Sequence, residues 1–219
     1  GGAHLAEQVM QKLALFGINV LQGYGITECS PLISANRPEA NLIGSLGFPL
    51  PSLECRINEN EIQVRGVSVM QGYYKDEAAT AEVFTEDGWF CTGDLGQIDK
   101  DGIMYLIGRK KNLIVLKNGK KISPEEIEEH LSDIPLIKEV VAYGASAGAS
   151  DDDVRLAITV FPNPDVTEGM SSYEILDGLQ REIDKINLNY PSYKQIQMIN
   201  LREREFAKTA AKKIKRNLI

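Results

Sequence analysis

Cysteine and histidine are scarce in this chain. Three cysteines, Cys29, Cys55 and Cys91, lie far apart in 219 residues. So odd and scattered a set builds no disulfide framework and points to a reducing compartment, the cytoplasm. His4 and His130 stand alone, with no CxxC or HExxH spacing, which argues against a zinc site. No apolar run approaches the roughly 18 residues of a helical membrane span, leaving at most peripheral membrane association. The N-terminus, Gly1-Gly2-Ala3-His4, has no signal-peptide character, and it lacks Met, which predicts a fragment or processed piece. Gly and Pro, 19 and 9, are too few and too scattered for a low-complexity chain. What is present is ordinary globular composition, 43% hydrophobic and 25% charged, at a length for one domain or two small ones.

The net charge is −7 and unevenly spread. Residues 109–121 carry six basic side chains and no acid, and residues 206–219 carry five and no acid. The remainder is strongly acidic, which excludes non-specific nucleic-acid binding. Two local basic segments can still converge on a small anion. The plainer reading of each is solvated surface.

Two halves differ in pattern. Leu5, Val9, Leu13 and Phe16 predict an amphipathic helix over 4–16, ended by Gly17, and 18–21 reads as a short buried strand. It leads into the loop Gln22-Gly23-Tyr24-Gly25-Ile26-Thr27-Glu28. From 43 to 107 short strands alternate with turns, and Asp101-Gly102 marks a hairpin. Beyond Gly108, Asn118-Gly119 suits a type I′ turn between the strands 112–116 and 121–122. Ser123-Pro124-Glu125-Glu126 predicts a full capping box opening a helix to about Leu131. Strands at 137–143 and 154–161, a helix over 171–186 and a strand at 194–200 complete an α+β half. The boundary is expected near Gly108-Arg109.

Four features carry chemistry. Gly23 and Gly25 let backbone approach a ligand, Tyr24 offers a flat face, Thr27 a hydroxyl and Glu28 a carboxylate for Mg²⁺. Such a loop taken alone is commonplace. In Trp89-Phe90-Cys91-Thr92-Gly93-Asp94 an acid at a strand end can accept both hydroxyls of a ribose, or simply cap the strand as an Asx turn. Arg109-Lys110-Lys111 at the boundary is a permanently charged cluster or a polar linker. The tail 208–216 delivers lysines or is a flexible basic terminus.

In this order and at these separations the chain resembles the C-terminal portion of the AMP-forming acyl-CoA synthetases, in the adenylate-forming superfamily. Gly1-Gly2-Ala3 matches that family's turn before the acyl pocket, and Tyr24-Gly25-Ile26-Thr27-Glu28 its YGxTE motif. Thr92-Gly93-Asp94, then Gly108-Arg109 with Glu125-Glu126-Ile127-Glu128, match its Thr-Gly-Asp motif and its hinge with the following helix. Lys208-Thr209, Lys213-Ile214 and Arg216 match the C-terminal lysine motif, with Lys212 where Gly is usual and Ala207 where Pro is usual. The wording around 22–31 and 108–112 looks most like long-chain fatty acid:CoA ligases.

The resemblance implies an α+β fold: the end of a large AMP-binding domain with a β-rich subdomain (1–108), then a small mobile α+β domain (109–219). It implies activation of a fatty acid by ATP and Mg²⁺ to acyl-AMP, then transfer to CoA. It also implies that the family's phosphate loop and N-terminal domain lie upstream. Lys213, Thr27 and Glu28 take catalytic roles, Glu28 through the metal. Gly2, Ala3, Gly23, Tyr24, Gly25, Thr27, Asp94, Arg109 and Lys213 take nucleotide-binding roles, with Tyr24 stacking near adenine and Asp94 and Arg109 on the ribose. Lys111 stands at the hinge. An adenylation domain loading a carrier protein, and a non-catalytic adenylate-binding module, would keep the same motifs.

Overall fold

A computed structural model describes residues 5, 7–146, 154–210 and 212–218. Contacts divide the chain into two compact units between Lys111 and Asn112, and the described strands form four separate sheets. Among the described residues no helix is long and apolar enough to cross a membrane.

The first unit opens with α1 (Glu7–Leu15), followed as expected by Gly17 in left-handed backbone, φ 75°. Its buried side chain is Met10, whereas Val9 and Phe16 of the expected apolar face are exposed. The strand expected at 18–21 is absent. The Val20 carbonyl accepts instead from Asn41 Nδ2 at 3.0 Å, and Ile18 and Leu21 are exposed. β1 (Gly23–Gly25) lies inside the expected loop and pairs antiparallel with β2 (Leu32–Ala35), which pairs with β3 (Phe48–Pro49). A Cβ on Gly25 would stand 2.1 Å from the Pro31 carbonyl oxygen, so only glycine allows this crossing.

β4 (Leu53–Asn58), β5 (Glu61–Gly66), the short helix α2 (Glu77–Val83), β6 (Phe90–Ile98) and β7 (Met104–Arg109) follow. The four strands form an antiparallel meander in sequence order. The hairpin expected at Asp101-Gly102 closes β6 on β7, with Asp99 Oδ1 accepting from the Asp101 and Ile103 amides at 2.9 Å. Ile33, Ile62, Val64, Phe90 and Met104 are buried together. Each such side chain contributes about 1.5–3 kcal/mol on full burial, and this cluster supplies the rigid floor under β1 and β6.

The second unit begins with the hairpin β8 (Ile114–Val115) and β9 (Lys121–Ile122). Gly119 is left-handed (φ 75°) but Asn118 is not, so the turn is not type I′. Three residues lie between Leu116 and Lys120, whose backbones are bonded at 2.9 Å, the pattern of a three-residue loop with its glycine in αL. α3 (Pro124–Leu131) starts at Ser123, yet the expected capping box does not form. The Ser123 hydroxyl donates to Glu125 Oε2 at 2.9 Å, and the Glu126 carboxylate pairs with Lys194.

β10 (Ile137–Ser146) and β11 (Val154–Pro162) pair antiparallel. After a single turn, α4 (Pro164–Thr167), comes α5 (Ser172–Asn187), where the capping box is present between Ser171 and Glu174. Ile175, Leu179 and Ile183 fall on one face of α5 and pack with Ile127, Leu131, Ile158 and Val160. β12 (Met198–Leu201) adds parallel to β11 and begins later than expected. Asn187 exchanges two hydrogen bonds with the Ile196 backbone, at 2.9 and 3.0 Å, tying that residue to the helix end rather than to the sheet.

Candidate functional site

The Thr-Gly-Asp segment is a bulge within β6, not a strand end or an Asx cap. Glu61 faces Leu95 and Gln63 faces Cys91, so Thr92, Gly93 and Asp94 stand opposite Ile62 alone. Gly93 takes up the bend at φ 71°. Thr92 Oγ1 donates to the Ile62 carbonyl at 2.8 Å and accepts from the Asp94 amide at 3.1 Å. The bulge re-aims Asp94 towards β1, where the Tyr24 hydroxyl donates to Asp94 Oδ2 at 2.7 Å. Arg109, the cross-strand partner of Asp94, places Nε 2.8 Å from Oδ1.

This array has a buried and an open end. Asp94 is 2% exposed and Tyr24 8%, while the Arg109 side chain is 44% exposed. Burial, with the Asp94 charge beside it, pushes the Tyr24 hydroxyl far above the usual phenol range, so it stays a donor. The open ring face expected of Tyr24 is not there. Its ring packs in the core, because the hydroxyl must reach a carboxylate sunk behind β6.

Thr27 and Glu28 form a single 3-10 turn, Thr27–Cys29, after β1, closed by Ser30 in left-handed backbone (φ 60°). Thr27 is exposed and Glu28 half-buried. The Tyr73 hydroxyl donates to Glu28 Oε1 at 3.1 Å, and the Met70 amide to the Glu28 carbonyl at 2.7 Å. Tyr73 was not legible in the sequence. Among the described residues no group of three acidic, histidine or cysteine side chains could hold a metal by itself. One carboxylate with open oxygen valences fits Mg²⁺, which typically takes one or two carboxylates and completes its shell with water and substrate phosphates.

Glu61 is a second residue that sequence reading missed. It is buried, accepts from the Gly93 amide at 2.9 Å through Oε1, and pairs with Lys110 Nζ at 2.7 Å through Oε2. One carboxylate thereby holds the bulge and the residue before Lys111, which is exposed at the end of the first unit. Gly23 and Gly25 are both exposed, consistent with backbone open to a ligand. Gly2 and Ala3 lie outside the described residues.

In the second unit the basic tail is a docked hairpin rather than a free terminus. Lys208 and Ile214 bridge antiparallel, the Thr209 amide donates to the Lys213 carbonyl at 2.8 Å, and the Lys215 amide to the Ala207 carbonyl at 2.8 Å. Phe206 is buried, and the Lys208 ammonium pairs with Glu139 and with Glu205. Lys212 is left-handed, φ 59°, a conformation that suits the glycine usual at this place in the resembling family. Lys213 is exposed at the turn, and among the described residues its ammonium has no partner.

Residues 1–74 match the AMP-binding enzyme family and residues 111–219 the AMP-binding enzyme C-terminal domain. The chloroplastic acyl-activating enzyme 16 named in Arabidopsis thaliana is 35% identical over 90% of this chain and 30% of its own length. A long-chain-fatty-acid–CoA ligase of Escherichia coli O157:H7 is 35% identical over 77% of this chain and 32% of its own. The Bacillus subtilis o-succinylbenzoate CoA synthetase, solved with its acyl-adenylate intermediate, superposes at TM-score 0.80 and 28% identity, over 99% of this chain and 44% of that one. The same enzyme with ATP and magnesium superposes at 0.79. The chain thus spans about a third of the curated relatives' length and under half of the solved structures'.

Proposed function

The chain belongs to the AMP-binding enzyme family, and from that premise we propose that it is the C-terminal part of an AMP-forming acyl-CoA synthetase acting on a fatty acid. The observation that carries the reading is the Tyr24–Asp94–Arg109 array, a buried carboxylate locked behind an exposed guanidinium on a bulged strand. The first unit, ending at Lys111, closes the AMP-binding domain, and the residues from Asn112 onward are the mobile domain that turns at Lys111.

The acid's carboxylate attacks the α-phosphorus of ATP, releasing pyrophosphate. The CoA thiol then attacks the acyl carbon and releases AMP. Arg109 and Asp94 hold the ribose: the exposed Arg109 nitrogens meet its hydroxyls, and a shift of that side chain opens Asp94 Oδ1 to accept from them. Gly23 and Gly25 admit the nucleotide against bare backbone. Thr27 donates to an α-phosphate oxygen, and Glu28, steadied by Tyr73, holds Mg²⁺. Bound there, the ion would neutralise phosphate charge. Lys213 supplies a cation between the attacking carboxylate and the phosphate, where negative charge concentrates in the transition state.

The fatty-acyl substrate is supported by similarity to long-chain-fatty-acid–CoA ligases, 40% and 35% identical over 66% and 77% of this chain. The test uses the full-length protein: acid-dependent exchange of labelled pyrophosphate into ATP, then thioester formation, across fatty acids, o-succinylbenzoate, free CoA and acyl-carrier protein. Fatty-acid-dependent exchange with CoA thioester as product is expected. Lys213→Ala should lower exchange on the order of 10²–10³-fold while sparing transfer from supplied acyl-AMP. Thioester on the carrier protein alone overturns the CoA assignment, and ATP binding without exchange for any acid makes the protein a non-catalytic nucleotide binder.

A further inference from the structure

Lys213 sits on a two-legged hairpin, and the leg that follows it is fastened in an unusual way. Arg216 and Glu128 both grip the backbone of one residue of β10, Ala142. Glu128 Oε1 accepts from the Ala142 amide at 2.7 Å, and Arg216 Nη1 donates to the Ala142 carbonyl at 3.2 Å. The circle is closed by Arg216 Nη2 on Glu128 Oε2 at 2.5 Å. Neither group is at the surface in the ordinary sense, their side chains being 27% and 19% exposed. Glu125 Oε1 is a further 3.8 Å neighbour of Arg216, itself held by Asn112 and Ser123. A charged pair taken this far out of water, with a further hydrogen bond from each partner to the backbone of one residue, fixes direction as well as distance.

Two residues separate Lys213 from Arg216. The first leg is pinned by Lys208 on Glu139 and by the Phe206 amide on Glu139 Oε2 at 2.9 Å. Without the second pin, the lysine would swing on the first leg alone. An exposed lysine with four rotatable side-chain bonds gains aim only from its backbone, and Lys212 already holds that backbone in the sparsely populated left-handed region.

We propose that Glu128 and Arg216 are positioning residues: they clamp the lysine-bearing hairpin to β10 so that Lys213 is presented at a fixed place for adenylation. This rests on the reading of Lys213 as the adenylation lysine. Neither residue touches substrate. The clamp serves the step that needs the lysine and is idle in the step that does not.

Glu128→Gln, Arg216→Gln and Arg216→Lys in the full-length protein test it, with two kinds of readout. Amide exchange should show protection lost at Thr209 and Lys215 in the two Gln variants, over and above any change in the global stability of the second unit. Pyrophosphate exchange should fall on the order of 10-fold or more, as misplacing a reacting group by an ångström can cost up to about 10²-fold. CoA transfer from supplied acyl-AMP should stay within about twofold, and Arg216→Lys, which keeps the charge but not the fork, should recover part of the exchange. Unchanged amide protection, or equal loss of both half-reactions, overturns the clamp. A wild-type protein that makes no acyl-AMP from any acid removes the activity reading and the clamp's adenylation role with it, an outcome distinct from failure of the clamp in an active enzyme.

Discussion

Tyr24→Phe isolates the bond that organises the first unit. The substitution deletes one oxygen and leaves the ring, so the core around Ile33 and Met104 keeps its packing. What is lost is a 2.7 Å hydrogen bond from a phenol to a carboxylate that is 2% exposed. Hydrogen bonds to charged groups are worth about 1.5–3 kcal/mol, and no water replaces the donor easily at that depth. Asp94 keeps the Arg109 Nε at 2.8 Å and the bulge intact, so the cost should fall near 2 kcal/mol rather than at the upper limit. The chain offers its own probe: its single Trp, Trp89, is buried in this unit between the guanidinium groups of Arg56 and Arg65, 4.4 and 4.6 Å from its ring centre. Urea unfolding followed by Trp89 fluorescence should show a lower midpoint at unchanged slope. In an Asp94→Asn background the same substitution should cost much less, because the acceptor's charge is already gone. A loss under about 0.5 kcal/mol in the parent, or an equal loss in both backgrounds, would refute the bond's role.

Other outcomes follow from single features. Lys212→Gly relieves a left-handed L-residue, worth roughly 1–2 kcal/mol, against the greater unfolded freedom of glycine, so amide protection at Thr209 should rise by an amount equivalent to about 0.5–1 kcal/mol; reduced protection would contradict the turn assignment. Burial pushes the Glu128 carboxyl from 4.5 up to about 7, against the pull of Arg216. Its folded pKa lies above its unfolded one, so its stability contribution is complete below about pH 4.5 and is lost as pH rises through about 7. The difference in unfolding free energy between the parent and Glu128→Gln should therefore slope across that window, by about 3 kcal/mol at most, and a flat difference would sink the claim. Over the same range the clamp gains charge, so pyrophosphate exchange should rise with pH in the parent more steeply than in Glu128→Gln. The 219-residue chain alone should exchange no pyrophosphate, which robust turnover by the purified chain would disprove.

By itself the sequence determined the elements whose cause is local. α5 follows from Ile175, Leu179 and Ile183 at four-residue steps behind Ser171 and Glu174, and β10 and β11 from runs of β-branched residues that bury on both sides. Tyr24, Glu28, Asp94, Arg109 and Lys213 stood out because each lies in a short contiguous run that resembles a family motif, and not through any pattern of their own. Only tertiary structure decided the rest. The same Ser-x-x-Glu signature closed a capping box at Ser171 and failed at Ser123, because Lys194, distant in sequence, took the Glu126 carboxylate. The 18–21 segment formed no strand, since a strand needs a neighbour and Asn41 reached the Val20 carbonyl instead. Tyr24 turned from a stacking surface into an anchor once the bulge in β6 brought Asp94 beneath it. Glu61, Tyr73 and the Glu128–Arg216 clamp were silent in the sequence for one reason: each works through a partner 32 to 88 residues away, and a lone charge or hydroxyl carries no mark of the partner that folding brings to it.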